Sequence, residues 1–521
     1  MFHSRPDILK GPSVELVFTG ENTSQFAEIS GKRALIMRER WSRENGYKHV
    51  LAISLPLVAS MGSLTLMQFT DRVFLANYSA DAIAAALPAG IASFTTIAFF
   101  MGVGNYVNAF VAQYMGASAF TRVGASVWQG IYFSLVASCL LASLYFFSEP
   151  LFECIGHSPH IRDLEVTYFN ILTLGAGLVV LGSAMACFYT GRGLTRTVML
   201  VHMVGAAVNI PLDYCLINGI GIFPELGIVG AALATVIASA TIVAVLSVLI
   251  FSPANRFKYG TWEGRVFDRE LFGRLMHYGL PSGTQFFLEV FGITFFIQMV
   301  GRLGDLELAA SNIVLSIESL AFLPMVGFHV GTATLVGQAI GRGRPEQGMY
   351  ATMSALHITM AYMILVAVAF IVMPKPLLGL FKAHHHTAAH HAEIMDLGVI
   401  LMRFVAVFCF FDGLNLVFSG AIKGAGDTRF IMWTIGALSL GVMVIPMYVA
   451  VEVFRADLYT AWTLATFYIC ALGLAFMMRY RQGKWKSMRV IEFKPIGVGR
   501  CSAAVDVQSG GFDEQPWKRE S

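Results

Sequence analysis

The chain has 521 residues, 56% of them hydrophobic and only 13% charged, with a mean hydropathy of +0.64. Soluble domains carry roughly 25% charged residues, so an ordinary globular protein is excluded. A formal net charge of +3 is too small to mark a nucleic-acid partner, and the sequence contains no P-loop, GxSxG or HExxH motif that would signal an ATPase or hydrolase.

Residues 1–46 are polar and lack the apolar core of a signal peptide; they are expected to form a cytoplasmic N-terminal extension. Twelve apolar segments follow, near 50–75, 85–110, 126–147, 166–188, 197–218, 228–251, 276–300, 309–334, 348–373, 395–418, 430–452 and 459–478. Most are about 20 residues long or more, enough to cross the bilayer core as helices. The longest central connector, 252–275, carries Arg256, Lys258, Arg265, Arg269 and Arg274. Arg122, Arg192, Arg196, Arg342, Arg344, Lys423 and Arg429 fall in connectors of the same parity, whereas the opposite connectors hold a scattering such as Arg162, Lys375, Lys382 and Arg455. The positive-inside rule then places both termini in the cytoplasm, and the basic start of the tail (Arg479, Arg481, Lys484, Lys486, Arg489) agrees. Residues 1–45 and 495–521 are expected to be mobile. Fifty glycines suit helices that approach closely or bend.

The two halves repeat. Leu55-Pro56 and Leu280-Pro281 open the first and seventh segments, 225 residues apart, and at that offset Gln113 meets Gln338 and Gly116 meets Gly341. Farther on, "RGLTRT" from Arg192 resembles "KGAGDT" from Lys423. Six helices per half is an even number, so the halves enter from one face as parallel repeats, with the substrate path between them. The expected organisation is an N-lobe over 47–251, a cytoplasmic linker over 252–275, a C-lobe over 276–480 and a cytoplasmic tail over 481–521.

Ionisable residues at membrane depth are functional candidates by default. Five carboxylates qualify: Asp71, Asp213, Glu289, Glu318 and Asp412. Asn209 and Asp213 are four apart and share a helix face, although Pro211 lies between them; Gln68 and Asp71 are three apart. With Thr235 they offer carboxylate, amide and hydroxyl oxygens, which suit Na⁺, or a carboxyl that carries H⁺. The plain structural alternative pairs Asp71 with Arg72 near a helix end. In the second half, Ser282, Gln285 and Glu289 form a polar stripe that Asp412, Asn415 and Ser419 repeat. Such stripes should face each other or a water-filled cavity, or else serve as interhelical hydrogen-bond pairs. Glu318 stands where the first half has Ser93, as a third cavity carboxylate or a partner to nearby backbone.

Other features are weaker. His384, His385, His386, His390 and His391 lack an acidic or cysteine partner, and adjacent histidines cannot all face one ion, so a solvated loop is expected rather than a metal site. Six of the seven cysteines (Cys139, Cys154, Cys187, Cys215, Cys409 and Cys470) lie in or beside apolar runs and Cys501 is in the tail; with no CxxC spacing, those in the runs read as small core residues. The 41 phenylalanines are normal for membrane helices, though aromatic faces also suit flat organic cations.

Residues 47–480 resemble the multidrug and toxic compound extrusion (MATE) family, in its bacterial NorM-like branch. The resemblance rests on "MQFTDRVFLANYSADAIAAA", "NIPLDYCLINGIGIFPELGIVGAALAT", "GLPSGTQFFLEVFGITFF" and "FFDGLNLVFSGAIKGAGDTR". It implies an all-α fold of two six-helix lobes forming a V, a cation site at Asp71, Asn209, Asp213 and Thr235, and C-lobe carboxylates at Glu289 and Asp412. Glu318, the His tract and the long N-terminal extension depart from the family pattern. The expected protein is a monomeric secondary transporter of the cell inner membrane, without a cofactor, exporting amphipathic, often cationic compounds against Na⁺ or H⁺. Gln68, Ser282, Gln285, Asn415 and Glu318 are candidates for the substrate path. A lipid-linked-precursor flippase of the same superfamily is the alternative, and a membrane-embedded lipid enzyme a more distant one.

Overall fold

The computed structural model describes residues 39–380 and 388–492, without the side chains of 388–391. The His384–His386 tract, Lys382, Cys501 and most of both terminal extensions lie outside the described residues, as do the side chains of His390 and His391. Twelve helices are long and apolar enough to span a membrane. The first six are α1 (Tyr47–Tyr78), α2 (Ala80–Gly116), α3 (Phe120–Ile155), α4 (Pro159–Thr190), α5 (Thr195–Asn218) and α6 (Ile228–Ile250). The second six are α7 (Arg269–Gly301), α8 (Asp305–Gly341), α9 (Pro345–Val372), α10 (Ala392–Ala425), α11 (Thr428–Val453) and α12 (Leu458–Arg481). No strand occurs among the described residues.

Most helices run several residues past the apolar segments, because polar turns continue a helix beyond the hydrocarbon layer. Local chemistry sets several ends. The Asp268 carboxylate caps α7 by accepting from the Leu271 amide at 2.9 Å, and Asp457 caps α12 through the Thr460 amide at 3.1 Å. Gly219, with φ +68°, closes α5 in the left-handed conformation. Prolines sit inside α1 (Pro56), α2 (Pro88), α5 (Pro211), α7 (Pro281) and α8 (Pro324), where each removes a backbone hydrogen bond and permits a bend. In α11 the helix widens into π-helical turns at Ser439–Val444 and Val449–Val453.

The N-lobe packs α1 on α5, α2 on α4, α3 on α4, and α6 on α4 and α5. In the C-lobe α10 lies at the centre, against α8, α9 and α12. The lobes meet where α7 and α8 cross α2 and α1. Small residues make these crossings possible: a side chain on Gly102 would strike Gly283 and the Ser282 carbonyl, and one on Gly327 would strike Val58. Hydrogen bonds between the lobes gather at the end that carries the basic connectors. Toward the other end, the four central helices carry exposed apolar side chains, including Leu66 (53%), Phe69 (62%) and Leu320 (61%). The lobes thus form a V closed at the basic end.

Candidate cation and substrate sites

Asp71 on α1 and Asn209 and Asp213 on α5 come together inside the N-lobe. All three are buried, Asn209 and Asp213 completely. Asp71 makes no direct ion pair with Arg72 among the described residues, although Arg72 acts on it electrostatically; its Oδ2 accepts from the Tyr168 hydroxyl of α4 at 3.4 Å, a long contact. Asp71 and Asp213 are close enough to act on each other electrostatically. Among the described residues, Asp71 Oδ1, both Asp213 oxygens and both amide atoms of Asn209 are buried with no hydrogen-bond partner. Buried polar groups are nearly always paired, and two neighbouring carboxylates cannot both stay charged out of water without a compensating cation. The cluster therefore has the chemistry of a site that takes up Na⁺ or a proton. Thr235 lies on α6, which packs against α5, and is half-buried. Gln68 is exposed.

The C-lobe presents a second, more exposed group. Glu289 on α7 accepts from the Gln285 amide at 3.1 Å, and Asp412 on α10 accepts from Asn415 at 3.1 Å. Glu318 on α8 faces Asp412 electrostatically, and Glu289 acts on Asp412 as well. Asp412 is buried, while Glu289 and Glu318 are half-buried. The expected stripe is divided: Ser282 turns away and donates to the Gly102 carbonyl at 3.0 Å, at the contact between lobes. Ser419 turns to His329 of α8 at 3.3 Å.

Three participants were not singled out from sequence. Tyr168 looks like one more aromatic in an apolar run. His329, whose ring faces the Leu416 carbonyl at 2.9 Å, is a lone histidine in a similar run. Lys423, read above as a connector residue, belongs instead to the last turn of α10 and acts electrostatically on Glu289. The helix continues past the apolar segment, which carries this lysine back inside the lobe.

The repeated glutamines turn out to lock the basic end. Gln113 of the N-lobe donates to the Gly424 carbonyl of the C-lobe at 3.0 Å, and Gln338 of the C-lobe donates to the Gly191 carbonyl of the N-lobe at 2.8 Å. Each reaches across to the end of the fourth helix of the opposite lobe. Asn108 adds a bond to Thr334 at 3.1 Å.

The tail reinforces this lock. Trp485 is buried in the C-lobe and stacks on Tyr480 at 5.0 Å. The chain then crosses to the N-lobe, where Val490 is buried and its amide donates to Gln113 Oε1 at 2.9 Å. Glu492 pairs with Arg122 at 2.8 Å and with Arg274, and accepts from Tyr114 at 2.5 Å. Burial would raise the Glu492 carboxyl, but the hydrogen bonds from Arg274 and Tyr114 outweigh it and hold it at about 2. A carboxyl depressed below its unfolded value of about 4.3 contributes fully above that value and loses its contribution as pH falls through about 2. The contact is therefore constant between pH 5.5 and 8. Glu492→Gln is expected to loosen the tail by the same factor at both values, measured by hydrogen exchange of the Val490 amide. An effect confined to pH 5.5 would contradict this assignment.

A two-lobed V with an inter-lobe lock and buried carboxylates in each half is the architecture of a secondary transporter. The MatE family model matches residues 56–215 and 281–449, so the chain belongs to the MatE family and is a transporter rather than an enzyme. It is 30% identical to the "Probable multidrug resistance protein NorM" of Burkholderia pseudomallei over 381 residues, 72% of this chain and 80% of that protein. It is 28% identical to the Pseudomonas aeruginosa protein described in the same words, over 89% of this chain and 94% of that one. A solved structure described as the outward-facing conformation of a multidrug resistance MATE family transporter shares the fold. Its TM-score is 0.75 at 20% identity, over 86% of this chain and 98% of that one.

Proposed function

We propose that the protein is an inner-membrane multidrug exporter that moves amphipathic, often cationic compounds outward against Na⁺ or H⁺ by alternating access. The observation that carries this reading is the buried Asp71–Asn209–Asp213 cluster, most of whose polar atoms have no hydrogen-bond partner among the described residues. The basic connectors at the closed end orient the chain, with both termini cytoplasmic and the V open to the outside. A cation entering from outside would occupy the N-lobe cluster, with Thr235 as a further oxygen ligand if Na⁺ is the ion. Cation and drug favour different states, so each promotes release of the other. The protein acts as a monomer, since both halves of the path lie in one chain.

The C-lobe carboxylates supply negative charge to the cleft, which favours a cationic drug. A flippase for lipid-linked anionic precursors would call for the opposite polarity, whereas here three carboxylates, Glu289, Glu318 and Asp412, act on one another and Lys423 acts on Glu289. Efflux by Asp71→Asn, Glu289→Gln and Asp412→Asn under controlled gradients tests the scheme; drug extrusion at the wild-type level in all three would remove these residues from it. Glu318→Gln is expected to weaken export of a monovalent cationic dye several-fold while leaving a neutral amphiphile nearly unchanged. Parallel efflux of the two compounds measures this, and an equal loss for both would deny Glu318 a part in charge selection.

A further inference from the structure

A groove on the outer side of the C-lobe, between α9, α10 and α12, takes no part in the inter-lobe path. Met349, Met353 and Met360 line it from α9 and Phe410 from α10, around a cavity of about 460 Å³. Tyr480 and Trp485 form its wall near the basic end, with Arg481 and Lys486 beside them. The neighbouring Arg479 is committed to Asp427 at 2.7 Å, whereas Arg481 and Lys486 have no carboxylate partner among the described residues.

We propose that this groove holds an anionic glycerophospholipid of the leaflet at the basic end, its acyl chain against the methionines and its phosphate on Arg481 and Lys486. Three properties select that occupant. From Met349 to Met360 the groove runs about 16 Å at ~1.5 Å per residue, close to half of the ~30 Å hydrocarbon core and so to one leaflet. Methionine side chains are unbranched and adaptable, which suits a flexible chain better than a rigid ring. Cations at one end of an apolar slot at the membrane surface match an anionic headgroup. Because Trp485 is also the C-lobe anchor of the tail, a seated lipid holds that anchor in place.

The test uses full-length protein in phosphatidylcholine vesicles containing phosphatidylglycerol with brominated acyl chains. Quenching of Trp485 is read as the difference between wild type and Trp485→Phe. Quenching should reach half its maximum at a lower lipid fraction for brominated phosphatidylglycerol than for brominated phosphatidylcholine. The pair Arg481→Gln and Lys486→Gln should raise that fraction about ten-fold or more, toward the phosphatidylcholine value. Met353→Phe, which narrows the slot, adds no further tryptophan and leaves the surface charge intact, should lower quenching for both lipids. Equal quenching by the two lipids in the wild type, or an unchanged preference in the charge variant, would overturn the proposal. Undiminished quenching in Met353→Phe would show mere surface attraction and overturn it too.

Discussion

Asp213→Asn is expected to lower gradient-driven export at least about ten-fold while leaving the folded protein in the membrane. The asparagine keeps the volume and a carbonyl oxygen but removes the charge, and with it the means to hold a proton or balance Na⁺. Asp213 makes no hydrogen bond among the described residues beyond its approach to the Asn209 amide, which an asparagine carbonyl can still accept, so the fold should tolerate the substitution. Removing one of two neighbouring buried carboxylates also relieves their mutual repulsion, so stability should be unchanged or higher. The combination of a transport loss with an unchanged or raised melting temperature separates a binding role from a structural one. A melting temperature several degrees lower, with export lost in proportion to the folded protein, would place Asp213 among structural residues.

The second large effect is conformational. A Cβ on Gly116 would lie against the Gln338 carbonyl oxygen, and one on Gly341 against the Gln113 carbonyl oxygen, both closer than the 3.0 Å that real Cβ atoms essentially never go below. In each case the obstacle is backbone of the other lobe, which cannot rotate away as a side chain would. Gly116→Ala and Gly341→Ala should therefore shift the equilibrium away from the closed basic end, each by a factor of about ten or more, equivalent to ~1.4 kcal/mol. Because the two contacts are related by the repeat, the double variant should be more open than either single one. Spin labels at the exposed positions Thr121 and Glu346, one in each lobe, should report longer distances in the variants. Unchanged distance distributions would show that the lobes accommodate the methyl groups.

Much of this architecture is legible in the sequence because a bilayer demands it. Continuous apolar runs predict twelve helices and the 225-residue offset between the halves a parallel repeat, and the structure has those helices. Their ends are less legible: α3 covers Phe120–Ile155, well beyond the apolar segment at 126–147. The same extension moves Lys423 from a connector into the C-lobe. The carboxylates stand out because charge at membrane depth is costly. Tyr168 does not, since an aromatic side chain in an apolar run carries no mark of its partner. The repeat reveals Gln113 and Gln338 as equivalent residues, but their task depends on which carbonyl each meets across the lobes. That is tertiary information, absent from any local pattern. The lobes are also unequal where the repeat would make them alike. Phe296, the counterpart of Asp71, is buried against Trp462 at 5.4 Å between ring centres, so packing replaces the polar cluster there.

The central claim is that Asp71, Asn209 and Asp213 bind the ion that drives export. Proteoliposomes in which the Na⁺ and H⁺ gradients are imposed independently test it most directly, comparing wild type with the Asp71→Asn, Asp213→Asn double variant. The account predicts that one of the two gradients drives uphill drug movement in the wild type and that neither does so in the variant, which still binds drug. Uphill transport at the wild-type rate in the double variant would contradict it.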